Sequence, residues 1–266
     1  SIYSSIDSAV FNARKLRDHV SPEAWNLLHR LLDRLEVLRR RGERRKAEGA
    51  KAQTDAAVAA VLSEVNAFLS TAEHTMLHDA GWQFLQIGLH LERAVMTCSA
   101  LRHVLGERVG GAKGGAAAAE APARGQDNPG LSALLRMLGS QDAYRRLYQT
   151  RSHPRHVADF FLLQPAAPRS LLHNLACIED ALREIDTAPS ETAPVEAAVA
   201  SLLRQLHDFD PAGTPGKAPG GTETTGEFLA TLLTDLGSLH PLLSDHYFSH
   251  QARVAGGAAR SEPVPV

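Results

Sequence analysis

"GWQFLQIGLHLERAVMTCSALRHVL", residues 81–105, decides how the chain is read, because its apolar residues recur every three or four positions over some six turns, with no proline. That spacing is the stripe of an amphipathic helix rather than the alternation of a strand. On a wheel at about 100° per residue, Gln83, Gln86, His90, Arg93 and Thr97 share one side, which reads as a wet or interfacial face. Glu92 does not join them. It falls in the arc of Leu85, Leu89 and Met96, so its carboxylate is expected to point into the protein. An unpaired carboxylate costs several kcal/mol there, so a partner is required.

Working outward, the same periodicity returns along most of the chain. Ile2, Ile6, Val10, Ala13 and Leu16 form a stripe in a first helix. "VSPEAW" starts a second, with Ser21 as N-cap, Pro22 at the first helical position and Glu23 in the first turn. Further helical patterns cover about 54–72 and 80–105, then "GLSALLRMLGS", "DAYRRLYQTR", "PRHVADFFLL", 171–185, 195–209 and 226–250, the last with a kink expected at Pro241. Two Gly/Pro/Ala-rich stretches, about 108–129 and 210–224, read as flexible inserts, and 251–266 as a disordered tail. The expectation is an all-α bundle of about eight to nine helices forming one domain over 1–250.

Composition agrees. Aromatic residues make up only 5% of 266 residues while 44% are hydrophobic, so the chain can bury a core but lacks the β-branched and aromatic excess of sheets. A formal net charge of -2 gives no basic field to attract nucleic acid. No apolar run reaches the roughly 18 residues needed to cross a bilayer, and no signal pattern opens the chain. Cys98 and Cys177 lie far apart inside helical patterns, so no disulfide is expected and a cytoplasmic setting fits. Both thiols are read as inert core packing.

The first helix offers the partner for Glu92. Arg17 projects from the stripe of Ile6, Val10 and Ala13, with Arg14 about 60° to one side. A charge-assisted pairing of Glu92 with Arg17 or Arg14 would fix how two helices dock. It reads either as a structural ion pair or as a polar pocket for a carboxylate or phosphate. His74/His78 and His246/His250 have i, i+4 spacing, yet the chain contains neither HExxH nor Glu-x-x-His, so no metal is expected and the histidines read as exposed or capping. "RRRGERRKAEGAK" reads as a solvated helix end. Arg155 and Arg169, beside proline turns that precede helices, are candidate anion binders, with capping the preferred role for that region.

The stretch "HDAGWQFLQIGLHLERAVMTCSALRHVL" resembles the bacterial alpha-E family, a helical domain named for a Glu-Arg motif, here Glu92 and Arg93. The resemblance extends to Asn12, Ala13, Arg14, Arg17, Ser21, Glu23 and Trp25 in "NARKLRDHVSPEAWNLL", and to "FFLLQPAAPRSLLHNL" at 160–175. Members of that family open with an earlier copy of the Glu-Arg helix, so the chain resembles an N-terminally truncated domain. Ser1-Ile2 falls opposite Ser170-Leu171, and Arg14 opposite Arg183. The family also places an arginine and an aromatic residue before the motif, where this chain has Leu89 and His90.

What the resemblance implies is companionship with a circularly permuted ATP-grasp protein, fused or adjacent, often with a transglutaminase-like protein nearby. Nucleotide chemistry would belong to that partner, since the chain has no GxxxxGK[ST] and no GxGxxG. The expected role is a non-catalytic accessory or substrate-presenting domain, with no catalytic residue, cofactor or metal of its own. Its polar centre is expected at Glu92, Arg93, Arg14 and Arg17. The alternative is an enzyme in its own right, with a Glu92/Arg-centred site acting on amino or peptide substrates.

Overall fold

The computed structural model describes residues 2–44, 50–106, 128–185, 193–209 and 225–248. All the secondary structure among them is helical, slightly richer than the eight to nine helices expected. The elements are α1 (Ile2–Lys15), α2 (Pro22–Arg44), α3 (Ala50–Thr75), α4 (Ala80–Leu101), a π-helical turn (Arg102–Gly106), α5 (Pro129–Met137), α6 (Gln141–Tyr148), α7 (Pro154–Leu163), α8 (Leu171–Ile185), α9 (Ala193–Asp208) and α10 (Thr225–Tyr247). Helix α10 continues through Pro241. The bulk of the first expected insert, the whole of the second, and the tail lie outside the described residues. No described helix is long and apolar enough to cross a membrane. The chain divides into two compact units, Ser1–Trp82 and Gln83–Val266.

In the first unit α2 packs against α1 and α3. Ser21 caps α2 as read, its Oγ accepting from the Ala24 N–H at 3.2 Å and from the Thr75 hydroxyl at 2.7 Å. The apolar contacts form two small clusters, Ile6 with Leu31 and Val61, and Val10 with Ala13 and Leu28. Beside them lies a buried acid that the sequence reading missed. Glu64 of α3 is only 7% exposed, and its Oε1 lies 3.3 Å from the terminal nitrogens of both Arg30 and Arg34 of α2. An arginine-clamped carboxylate linking two helices, the arrangement expected at Glu92, is found here.

The second unit holds the main core. Ile87, Leu91, Ala94, Cys98 and Leu101 of α4 pack with Phe160, Phe161, Leu171, Leu175, Ile178, Leu182 and the apolar stripes of α9 and α10. Helix α8 lies against α7 and α9, and α9 against α10. This arrangement reverses the expected orientation of α4. Its inward face is the Ile87–Leu101 stripe with His90 and Thr97 on its flank, 8% and 0% exposed, whereas Glu92 is exposed and Met96 is 57% exposed. The wheel of α4 carries two apolar arcs, and the arc holding Ala94 and Cys98 goes inside, with the Cys98 sulfur 3.5 Å from the Leu229 carbonyl of α10.

The withdrawal of Glu92 from water is thereby corrected. Within its own unit the carboxylate has no described ion pair, and water solvates it without one. Arg14 and Arg17 are exposed too. Arg17 is used locally, donating to the Val20 carbonyl at 3.2 Å with its guanidinium 5.0 Å from the Trp25 ring centre.

Candidate functional site

Of the four residues expected to form a polar centre, only Arg93 lies in one, and its neighbours there are different. Helix α4 presents His90 and Arg93 to α8 and to the turn at 164–170 that precedes it. Two prolines, Pro165 and Pro168, keep that turn out of the helix, and Ser170 then starts α8. Its Oγ accepts from the His173 N–H at 3.1 Å, as an N-cap does, and its hydroxyl donates to the Gln164 carbonyl at 2.6 Å.

Asn174, fully buried, holds the centre together. Its amide nitrogen donates to the carbonyls of Pro168 at 3.2 Å and Ser170 at 2.6 Å. Carbonyls only accept, so that end must be the NH2 and the other end the oxygen. The oxygen lies 2.8 Å from Nδ1 of His90, which therefore donates. Burial, first of all, pushes the His90 pKa down, and the charges of Arg93 and His173 add to this against the Asn174 hydrogen bond. The ring is held neutral, with its lone pair on Nε2.

His173 is tied down in the same way. Its Nδ1 lies 2.9 Å from the Pro165 carbonyl and must donate to it, leaving Nε2 as the lone-pair nitrogen 3.7 Å from the Cys177 sulfur. The rings of His90 and His173 lie 6.0 Å apart between centres. Cys177 is half-buried rather than core-packed, and desolvation, then Asp180, push its thiol pKa up while Arg93 acts in the opposite sense. Cys98 matches the inert reading. It is fully buried and pushed up to about 12, chiefly by desolvation.

Arg93 and Arg169 complete the centre. Both are half-buried, and neither has an ion pair or hydrogen bond among the described residues. The Arg93 pKa is pushed down, first by desolvation and then by the charge of Arg169, so the two guanidiniums repel each other. Two half-desolvated arginines without an acid have the chemistry to hold an anion, above all a carboxylate or phosphate that takes parallel N–H bonds. One turn beyond Arg93, the buried Thr97 hydroxyl oxygen also has no hydrogen-bond partner.

The other anion candidate, Arg155, lies elsewhere, exposed in the first turn of α7, where its backbone N–H donates to the His153 ring at 3.3 Å. That is the capping role preferred from sequence. Of the i, i+4 histidines, His74 and His78 are exposed, and His250 lies outside the described residues. A cleft of about 490 Å³ opens where α5 meets α6, lined by Ser132, Tyr144, Arg145, Gln149, Thr150 and Arg151 among others. It does not reach Glu92.

A bundle of this kind, with its polar residues gathered on one face of a Glu-Arg helix, defines a class of helical domain rather than a known active site. The chain belongs to the Alpha-E family, described as a predicted alpha-helical domain with a conserved ER motif, whose model matches residues 1–248. Among curated proteins it is similar to an uncharacterized protein of Mycobacterium bovis and another of Mycobacterium tuberculosis, each 24% identical over 198 residues. The match covers 73% of this chain but 20% of each relative. The chain thus spans about a fifth of the length of the curated relatives it matches. No solved structure matches it.

His173, Asn174 and the pairing of Arg93 with Arg169 were not found from sequence. A partial signal existed, since His173 and Cys177 have the i, i+4 spacing that puts two side chains on one face of a helix. Arg93 was named for a polar centre with other partners, and His90 only as part of a wet or interfacial face.

Proposed function

We propose that the chain is a non-catalytic, substrate-presenting helical domain that works with a circularly permuted ATP-grasp amide or peptide ligase, fused or adjacent, in the cytoplasm. The observation that carries this reading is the acid-free pair Arg93 and Arg169, suited to hold the carboxylate of a substrate while the partner activates and joins it. Support also comes from the relatives, of which the matched region is only a fifth, so that the domain occurs within far longer chains. The transglutaminase-like protein belongs to the same proposal as a second neighbour. An independent enzyme built on Glu92 is less favoured, because that carboxylate is exposed and about 200° around α4 from His90.

The test is co-purification with the ATP-grasp partner, followed by ATP consumption over a panel of amino acids with and without this chain. The expected result is at least tenfold faster turnover with the chain present, lost in Arg93→Ala and Arg169→Ala while co-purification persists. Equal ligation without the chain overturns the proposal.

A further inference from the structure

We propose that His90, His173 and Cys177 bind a divalent cation of the zinc class through two imidazole nitrogens and one thiolate, leaving a fourth coordination position open. The three residues each offer a ligand atom, and those atoms lie within 4.8 Å of one another. Standard zinc bonds of about 2.0–2.1 Å to nitrogen and 2.3 Å to sulfur place tetrahedral N and S ligands about 3.6 Å apart. His173 Nε2 and Cys177 Sγ are 3.7 Å apart.

The surroundings of the ligands argue more strongly than the distance. A histidine that binds a metal donates its other ring N–H to an oxygen acceptor, which fixes both the tautomer and the direction of the lone pair. Both rings already do this, His90 to Asn174 Oδ1 and His173 to the Pro165 carbonyl. Asn174 is itself locked by two backbone carbonyls. The two rings come from helices far apart in sequence, and each has Nδ1 engaged, which leaves Nε2 as the nitrogen able to bind. On binding, Cys177 releases its proton to solvent and becomes the thiolate ligand.

The donor set selects the ion. Two imidazoles and a thiolate suit zinc or cobalt, and not magnesium or calcium, which take oxygen ligands. Three protein ligands leave one position for water or for an anion, the pattern of an open rather than a purely structural zinc site. The neighbouring Arg93 and Arg169 would favour an anion there. The assignment stands on the ligands alone and does not depend on the ligase partnership.

The test uses the full chain, treated with a chelator, dialysed and titrated with Co2+ alone. The expected result is saturation at one equivalent, with a sulfur-to-cobalt charge-transfer band in the near ultraviolet, intense tetrahedral bands in the visible, and displacement by Zn2+. Cys177→Ser should abolish the charge-transfer band and Cys98→Ser should keep it. Asn174→Ala should weaken binding by about 10–100-fold, as loss of an orienting partner does. A readout free of variants is alkylation mapped by mass spectrometry, in which one equivalent of Zn2+ should slow labelling of Cys177 at least tenfold. Absence of the bands in the unaltered chain, their survival in Cys177→Ser, or unchanged labelling of Cys177 overturns the assignment.

Discussion

Each unit of the chain brings two arginines together, Arg30 and Arg34 exposed and Arg93 and Arg169 half-buried, and the two pairs differ in whether an acid joins them. In the first unit Arg30 and Arg34 converge on the buried carboxylate of Glu64. In the second, Arg93 and Arg169 repel each other, with no described acid to accept from them. The first arrangement is complete as folded, because the cost of burying a charge is offset by its hydrogen-bonded counter-ions. The second leaves donor capacity that no described residue uses and that an anionic ligand could take up. A half-buried arginine by itself indicates nothing; whether its acid belongs to the chain separates a structural contact from a receptor.

The comparison can be tested, starting with the largest effect. Replacing both Arg30 and Arg34 with Ala isolates the Glu64 carboxylate and should cost about 2 kcal/mol in urea unfolding. This is less than the roughly 3–5 kcal/mol of a fully buried pair because both guanidiniums reach solvent. The double variant Arg93→Ala/Arg169→Ala should change stability by less than about 0.5 kcal/mol, as loss of unpaired groups does, while abolishing any rise in melting temperature produced by citrate or phosphate. A loss equal to that of the first double variant would erase the distinction between the pairs.

A smaller effect concerns protons. His90 has a pKa below its unfolded value of 6.5, so between the two values the unfolded chain binds more protons and stability falls as pH drops below about 6.5. In chelator-treated protein His90→Gln should flatten that fall, whereas substitution of the exposed His74 should leave it unchanged. The smallest effect is kinetic. A thiol reagent under native conditions should modify the half-buried Cys177 first and reach Cys98 only on unfolding. Labelling in the reverse order would mean that the α8 face of the site is closed.

Most of the helices could be read from the sequence because periodicity, the Ser21-Pro22 start and the proline turns are local signals. The orientation of α4 could not. It carries two apolar arcs, and the periodicity of one helix does not say which of them meets the rest of the core. The sequence reading missed Glu64 of α3, which sits among alanines and valines, and placed an arginine-paired buried glutamate at Glu92 of α4, which is exposed. The site was legible only in fragments. Arg93, Arg169 and His90 were named in separate connections, whereas Asn174, which ties His90 to the turn before α8, looks like any polar residue on a helix until its carbonyl partners are known.

One residue outside both arginine pairs shapes the second unit more than its chemistry suggests. Gln149 ends α6 with its backbone in the left-handed region, at φ 51°, and its N–H returns to the Arg145 carbonyl at 3.0 Å. Residues 149–153 leave the helix from there, and Pro154 opens α7, so 141–163 is two helices rather than one rod. The path doubles back, the Tyr144 hydroxyl reaches the Arg151 carbonyl at 3.2 Å, and Ser152 meets Ser132 at the same separation. The left-handed Gln149 and the proline that opens α7 thus turn a strut into a corner, and the 490 Å³ hollow is the inside of that corner.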